Sequence, residues 1–176
     1  TLVIFMTDNG PQVARFNGVL RSTKGSAYDG GIHVPCFVRW PKRLPAGGKV
    51  ERIAAHIDLF PTILQAAQVT PPQSVDGVPQ QVIDGISFFD VLASGTAPER
   101  HTQQYFELHG SRSIYQDGWV AAQRSGLLAW TNTPATAPPP PWELYDLTRD
   151  YSEANNLAAA EPARLEALKQ TFDAVA

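Results

Sequence analysis

The hydrophobic residues follow three rhythms along this chain, and each predicts a different kind of element. Leu2-Val3-Ile4-Phe5-Met6 is an unbroken apolar run closed by Thr7-Asp8-Asn9-Gly10-Pro11. It predicts a buried strand running into a loop, with further residues upstream because the run has no lead-in. Pro35-Cys36-Phe37-Val38-Arg39-Trp40 predicts a second buried strand, stopped by Pro41, with Cys36 an inert buried thiol. Between them, residues 12–33 are rich in Gly, Ser, Asn and charge with no period, which predicts a long loop of the functional kind.

The second rhythm is helical. Asp58 is placed to cap a helix running to Ala67, with Leu59, Phe60, Ile63, Leu64 and Ala67 on one face and Pro61 in the first turn. Residues 69–84 read as an irregular surface segment, and a short helix is expected around 88–92. A final amphipathic helix is expected over 161–175, buried through Leu165, Leu168, Phe172 and Val175.

The third rhythm is short and alternating. Residues 104–108, 112–116, 119–123 and 142–147 read as strands of a small antiparallel sheet, with tight turns at His109-Gly110-Ser111 and Asp117-Gly118. Residues 131–141 form a proline-rich, extended stretch. The change of rhythm suggests two parts, residues 1–95 as part of a main α/β domain and 96–176 as a smaller subdomain.

Composition narrows the function classes. The 176 residues are 43% hydrophobic and 18% charged, ordinary values for a chain with a core. The net charge of −3, with both signs interspersed, gives no electrostatic basis for nucleic-acid binding. No apolar run reaches the ~20 residues a membrane helix needs. The single cysteine excludes an internal disulfide and leaves the compartment open.

Candidate chemistry sits at the loop ends. Asp8 and Asn9 put two hard oxygen donors where a strand ends, a place where α/β sheets gather ligands; Asp-Asn-Gly is also a common turn sequence, and both readings stand. Lys24, within Arg21-Ser22-Thr23-Lys24-Gly25-Ser26, can meet a sulfuryl or phosphoryl anion as a point charge or simply be a solvated loop lysine. Tyr28-Asp29-Gly30-Gly31 either lets backbone approach a site or makes a turn. His33 follows the glycine pair and can line a pocket. His56, His101 and His109 share no metal-ligand spacing with it or one another, and His56 reads as structural. No Gly-x-Ser-x-Gly, P-loop or Cys/His cluster is present.

Taken in order, these pieces resemble the arylsulfatase (sulfatase) family over nearly the whole chain. Phe5-Met6-Thr7-Asp8-Asn9-Gly10-Pro11 resembles its second metal motif. The run from Leu20 to Pro35 resembles its lysine loop, whose pattern is roughly L-R-G-G-K-G-x-x-Y-E-G-G-I-R-V-P. Ala55 to Leu64 resembles the following helix, Asp84-Gly85-Ile86-Ser87 a D-G-x-S segment, and Trp142 to Leu147 with Glu153 to Leu157 the C-terminal signature. Residues 105–119 are similar to bacterial arylsulfatase-like members.

The resemblance implies an alkaline-phosphatase-like α/β fold, here its C-terminal portion with the small sheet and last helix. It implies a hydrolase of small-molecule or glycan sulfate esters; the compartment stays open, and the resemblance allows a periplasmic or secreted parent. Asp8 and Asn9 would be two ligands of a divalent cation, usually Ca2+. Lys24 would be the catalytic, sulfate-binding lysine, and His33 would stand at the substrate pocket where the family has Arg. The family nucleophile is a formylglycine made from C/S-x-P-x-R, whose hydrate attacks sulfur. Cys36-Phe37-Val38-Arg39-Trp40 lacks the Pro and final Arg of that motif, so the nucleophile is expected upstream and the 176 residues alone are expected to be inactive. Ser22-Thr23 replaces a Gly pair, which implies a stiffer loop or a different pocket rim. A phosphodiesterase or phosphonate monoester hydrolase of the same superfamily, and a non-catalytic module, are the alternatives. Residues 69–84 and 124–141 are the candidate specificity loops. An open edge and apolar surface give the chain a route to self-association.

Overall fold

A computed structural model describes residues 1–125 and 139–176. The chain divides into two compact units, residues 1–4 with 38–102 and residues 5–37 with 103–176. Strands β1 (Val3–Met6) and β2 (Cys36–Arg39) pair as a two-stranded sheet, and the division runs through both. The expected strands are present, but the expectation that they are buried fails. Phe5 and Phe37 are 65% and 63% exposed, with ring centroids 6.3 Å apart, and Cys36 is exposed rather than enclosed. An apolar run records only that a strand is suited to cover; among the described residues these phenylalanines stay mostly open to solvent.

The first unit is organised around one buried carboxylate. Helix α2 (Leu59–Ala67) follows a 3₁₀ turn at His56–Asp58, and α3 (Phe89–Ala93) lies beside α2. Asp58 was expected to cap α2, yet its side chain makes no cap bond there. Its carboxylate, fully buried, instead accepts from the backbone N–H groups of Ala55 (2.8 Å) and Ile86 (2.7 Å) and pairs with His101 Nδ1 at 2.6 Å. Three partners from three segments are enough to hold a carboxylate out of water. The buried residue of α2 is Thr62, not the apolar set expected; Phe60 and Ile63 are exposed. The Thr62 hydroxyl donates to Asp58 O (2.6 Å) and accepts from Phe88 N (3.0 Å), tying α2 to the approach to α3. The segment expected to be irregular contains a minimal hairpin, β3 (Ser74–Val75) with β4 (Val78–Pro79).

The second unit contains an antiparallel sheet in the order β5 (Gln103–Leu108), β6 (Ser111–Gln116), β7 (Trp119–Gln123), β8 (Glu143–Asp146). Tyr105 lies opposite Ile114, Ile114 opposite Ala121 and Ala121 opposite Leu144, so one apolar row crosses all four strands. The turns fall where expected: His109-Gly110 and Asp117-Gly118 all take positive φ, between 50° and 85°. Helix α4 (Pro162–Val175) starts with Pro162 in its first turn and packs on that row through Leu168 and Phe172. Phe172 stacks on Tyr105 at 4.7 Å and meets Trp142 edge-on at 5.3 Å. Val175, expected in the buried stripe, is 43% exposed, because the stripe ends as α4 reaches its C-terminus. Segment 153–157 protects the outer edge of β8: Leu157 N donates to Leu144 O (2.8 Å), and Asn156 Oδ1 accepts from Leu144 N (3.1 Å). The proline-rich stretch expected at 131–141 lies outside the described residues up to 138.

Candidate functional site

The second unit brings together the two motifs carrying the candidate chemistry. Gly10 N donates to Gly31 O at 2.8 Å, and Lys24 N donates to Pro11 O at 3.0 Å. The segment after β1 is thereby laid against both ends of the lysine loop. The loop is braced internally by Gly30 N to Arg21 O (2.8 Å) and by the Asn17 side-chain amide, which donates to Leu20 O (3.0 Å) and to Ser22 O. Close approach requires glycine at two of these points. A Cβ on Gly10 would overlap the Gly30 carbonyl, and one on Gly30 would overlap Asn17 Nδ2 and the Arg21 and Ser22 carbonyls.

Asp8 and Asn9 sit just beyond β1, Asp8 exposed and Asn9 half-buried. Asn9 Nδ2 donates to Gly10 O at 2.9 Å, which engages the nitrogen and leaves Oδ1 as the amide's acceptor. An Asp carboxylate beside an Asn carbonyl oxygen suits a hard divalent cation as two donors of a larger shell. Among the described residues no group of three or more His, Cys, Asp or Glu side chains gathers as a metal cage. Lys24 is half-buried. His33 follows the four-residue helix α1 (Asp29–Ile32) and is exposed; its Nδ1 lies 3.1 Å from Asp29 Oδ2. That hydrogen bond raises the His33 pKa against the effect of burial, with the Asp29 charge adding to it.

Ser22 has φ 67°, the left-handed region where side chains are strained. It stands where the resembled family pattern has Gly, so the departure noted in the sequence falls on a position whose backbone favours Gly.

What anchors the loop was not identified from sequence. Arg21 spans from the loop to the sheet: its guanidinium donates to the Tyr145 hydroxyl, to Glu143 Oε1 (3.2 Å) and to Glu153 O (3.3 Å). It also lies 4.5 Å from the Tyr28 ring centroid. The Tyr28 hydroxyl donates to Glu143 Oε2 (2.5 Å), and Asp29 N donates to Glu153 Oε2 (3.0 Å). Tyr28 packs with Val120, Ala122 and Tyr145 on the sheet face opposite the one that receives α4. Burial works against the Arg21 charge, but Tyr145, Glu143 and Tyr28 outweigh it and raise its pKa. Burial, then Glu143, pushes both tyrosine hydroxyls up. Burial, more than any neighbouring charge, pushes the Glu153 carboxyl up to about 8. The available sequence signal was the alternation in β8, which sends Glu143 and Tyr145 to one face and Leu144 to the other. The Asp58–His101 pair was likewise missed, because its partners are far apart in sequence.

An α/β chain with an antiparallel four-stranded sheet and a lysine-bearing loop folded against a strand-end Asp-Asn pair has the sulfatase type of alkaline-phosphatase-like fold. A solved Bacteroides thetaiotaomicron structure, described under the metabolism of multiple glycosaminoglycans, matches with a TM-score of 0.77 at 24% identity, over 99% of this chain and 38% of that one. Residues 1–69 match the family model Sulfatase. Arylsulfatase A of Homo sapiens is 34% identical across 97% of this chain, and the N-acetylgalactosamine-6-O-sulfatase of Bacteroides thetaiotaomicron 28% identical across 99%. The chain belongs to the sulfatase family. It spans 36% of the length of each of those two relatives. Among the described residues no helix is long and apolar enough to cross a membrane.

Proposed function

We propose that these residues form part of the active site of an enzyme that hydrolyses sulfate esters, small-molecule or glycan. Asp8 and Asn9 are two ligands of a divalent cation, with Ca2+ the best fit to their oxygen donors. Lys24 is the catalytic residue that grips the sulfate group, and His33 lines the substrate pocket. The observation that carries this reading is the pair of backbone hydrogen bonds, Gly10 to Gly31 and Lys24 to Pro11, which join the Asp-Asn segment to the lysine loop. Neither feature means much alone; the two backbone contacts lay the segment bearing the oxygen donors against the loop bearing the cationic side chain.

The chemistry asked of this chain is electrostatic. A sulfate ester carries negative charge on its sulfuryl oxygens, and as the ester bond breaks further negative charge grows on the leaving oxygen beside them. A fixed ammonium group is then worth more in the transition state than in the ground state. The bound cation would offset charge on the sulfuryl oxygens. His33, held by Asp29, presents Nε2 as its remaining polar atom, a hydrogen-bond partner for an ester or sugar oxygen. The attacking group is expected from a C/S-x-P-x-R motif that these 176 residues do not contain. The chain alone is therefore expected to be inactive.

The test is hydrolysis by the whole protein of matched aryl sulfate and phosphate esters. The expected result is a higher kcat/KM for the sulfate, falling roughly 100–1,000-fold in Lys24→Ala. A preference for phosphate esters would reassign the site to a phosphodiesterase or phosphonate hydrolase. No turnover of either would leave a binding module.

A further inference from the structure

The loop that carries Lys24 and His33 is held by a residue with no place in the proposed chemistry. Glu153 is 1% exposed. One carboxyl oxygen, Oε2, accepts from Asp29 N at 3.0 Å, while Oε1 has no hydrogen-bond partner among the described residues. Its backbone is left-handed, with φ 55°. The turn that imposes this conformation is built by Asp150, whose Oδ1 accepts from Ser152 Oγ (2.6 Å) and whose Oδ2 accepts from Asn155 N (2.7 Å). A half-satisfied buried carboxyl on a strained backbone is a poor device for stability alone. Its one side-chain bond goes to the residue that begins α1, and α1 ends at the histidine beside the proposed substrate.

We propose that Glu153 is a positioning residue for the sulfate-binding loop: by holding Asp29 N, its buried carboxyl fixes α1 and sets where His33 and the Lys24 turn stand. The path is short. Glu153 fixes the Asp29 backbone, the Asp29 carboxylate holds His33 Nδ1, and Gly30 N holds Arg21 O at the root of the turn bearing Lys24. The charged and titratable groups facing Glu153 are Arg21 and Asp29 from the loop and Glu143 and Tyr145 from β8. One guanidinium thus serves a site with three carboxyl groups. A neutral Glu153 fits that balance, and its ionisation near pH 8 puts a second negative charge beside Asp29. The loop should lose its setting as that happens.

The inference rests on the sulfatase reading, and the test separates the two. The whole protein is assayed on para-nitrophenyl sulfate as wild type, Glu153→Gln, Glu153→Ala, Lys24→Ala and Leu168→Ala, the last being a core truncation on the far face of the sheet. Glu153→Ala should lower kcat/KM of the folded enzyme by about 10–100-fold, the scale of a small misplacement of binding groups. Leu168→Ala should lower Tm and leave that ratio unchanged. Glu153→Gln keeps an acceptor for Asp29 N, so activity below neutrality should persist while the alkaline limb near pH 8 disappears. If Glu153→Ala behaves like Leu168→Ala, or the alkaline limb stays in Glu153→Gln, the positioning role is wrong even where Lys24→Ala is inactive. If the wild type hydrolyses no sulfate ester, the functional reading fails, and amide exchange decides the positioning. The Asp29 and His33 amides should then exchange faster in Glu153→Ala than in wild type, and equal protection overturns the proposal.

Discussion

The two faces of the four-stranded sheet do opposite jobs with different chemistry. On one, Ile114, Ala121 and Leu144 meet Leu168 and Phe172 of α4 in a contact made of carbon. On the other, Val120, Ala122 and Tyr145 meet Tyr28, and around that small apolar patch stand Arg21, Glu143 and Glu153. The apolar face tolerates small slides, because dispersion and hydrophobic burial have little directional preference. The polar face does not, since each hydrogen bond there fixes a distance and an angle. The first face supplies stability, and the second fixes the position of a loop.

That comparison breaks most visibly at Phe172. Phe172→Ala removes the ring between Tyr105 and Trp142 and should cost about 3–5 kcal/mol in chemical denaturation. If the faces are independent, exchange protection of the loop amides below the melting transition should remain. Arg21→Met tests the other face. It keeps much of the stem but takes the donor away from Glu143 Oε1, leaving Oε2 to the Tyr28 hydroxyl, and removes the donor to the Tyr145 hydroxyl, for an expected loss of about 1–3 kcal/mol. Unlike Phe172→Ala, it should speed exchange at Asp29 and Gly30 first. A uniform loss of protection in both variants would mean that the faces are one cooperative unit.

Glu153→Gln separates the faces by pH. The folded-state pKa of Glu153 is raised from 4.5 to about 8. Its contribution to stability is therefore complete below about 4.5 and is lost as pH rises through about 8. Glutamine does not titrate, so the variant should gain on wild type as pH climbs through that window, measured as the difference in Tm. A constant difference would mean that Glu153 is not held neutral. The smallest effect is expected at Ser22. Ser22→Gly relieves a left-handed side-chain backbone but frees the unfolded chain, and the balance should be a gain of up to about 1 kcal/mol. A loss would mean that the serine side chain contributes more than its backbone costs.

Regular elements were legible because their signals are local. The four strands of the sheet, both of its tight turns and α4 follow from alternation, two Gly-containing turns and an i, i+3, i+7 stripe. Burial was less legible. Cys36, Phe5 and Phe37 read as interior and are exposed; Phe60 and Ile63 read as the face of α2, yet Thr62 is the buried residue there. Hydrophobicity states what a residue would accept as a neighbour, and only the fold states what arrives. Asp58 makes the same point in polar terms: it is an apt cap by position, but three partners from other segments outcompete its own helix.

By itself the sequence determined the candidate chemistry: Asp8, Asn9, Lys24 and His33, and the family they resemble, because residue type and order survive without coordinates. Tertiary structure alone decided that Gly10 and Gly31 meet, that Lys24 N reaches Pro11 O, and that Arg21 and Glu153 moor the loop to the sheet. Asp29 and Glu153 are 124 residues apart, and so are Arg21 and Tyr145. Contacts of that range leave no local pattern, since chain entropy is overcome only when the whole sheet has formed beneath the loop.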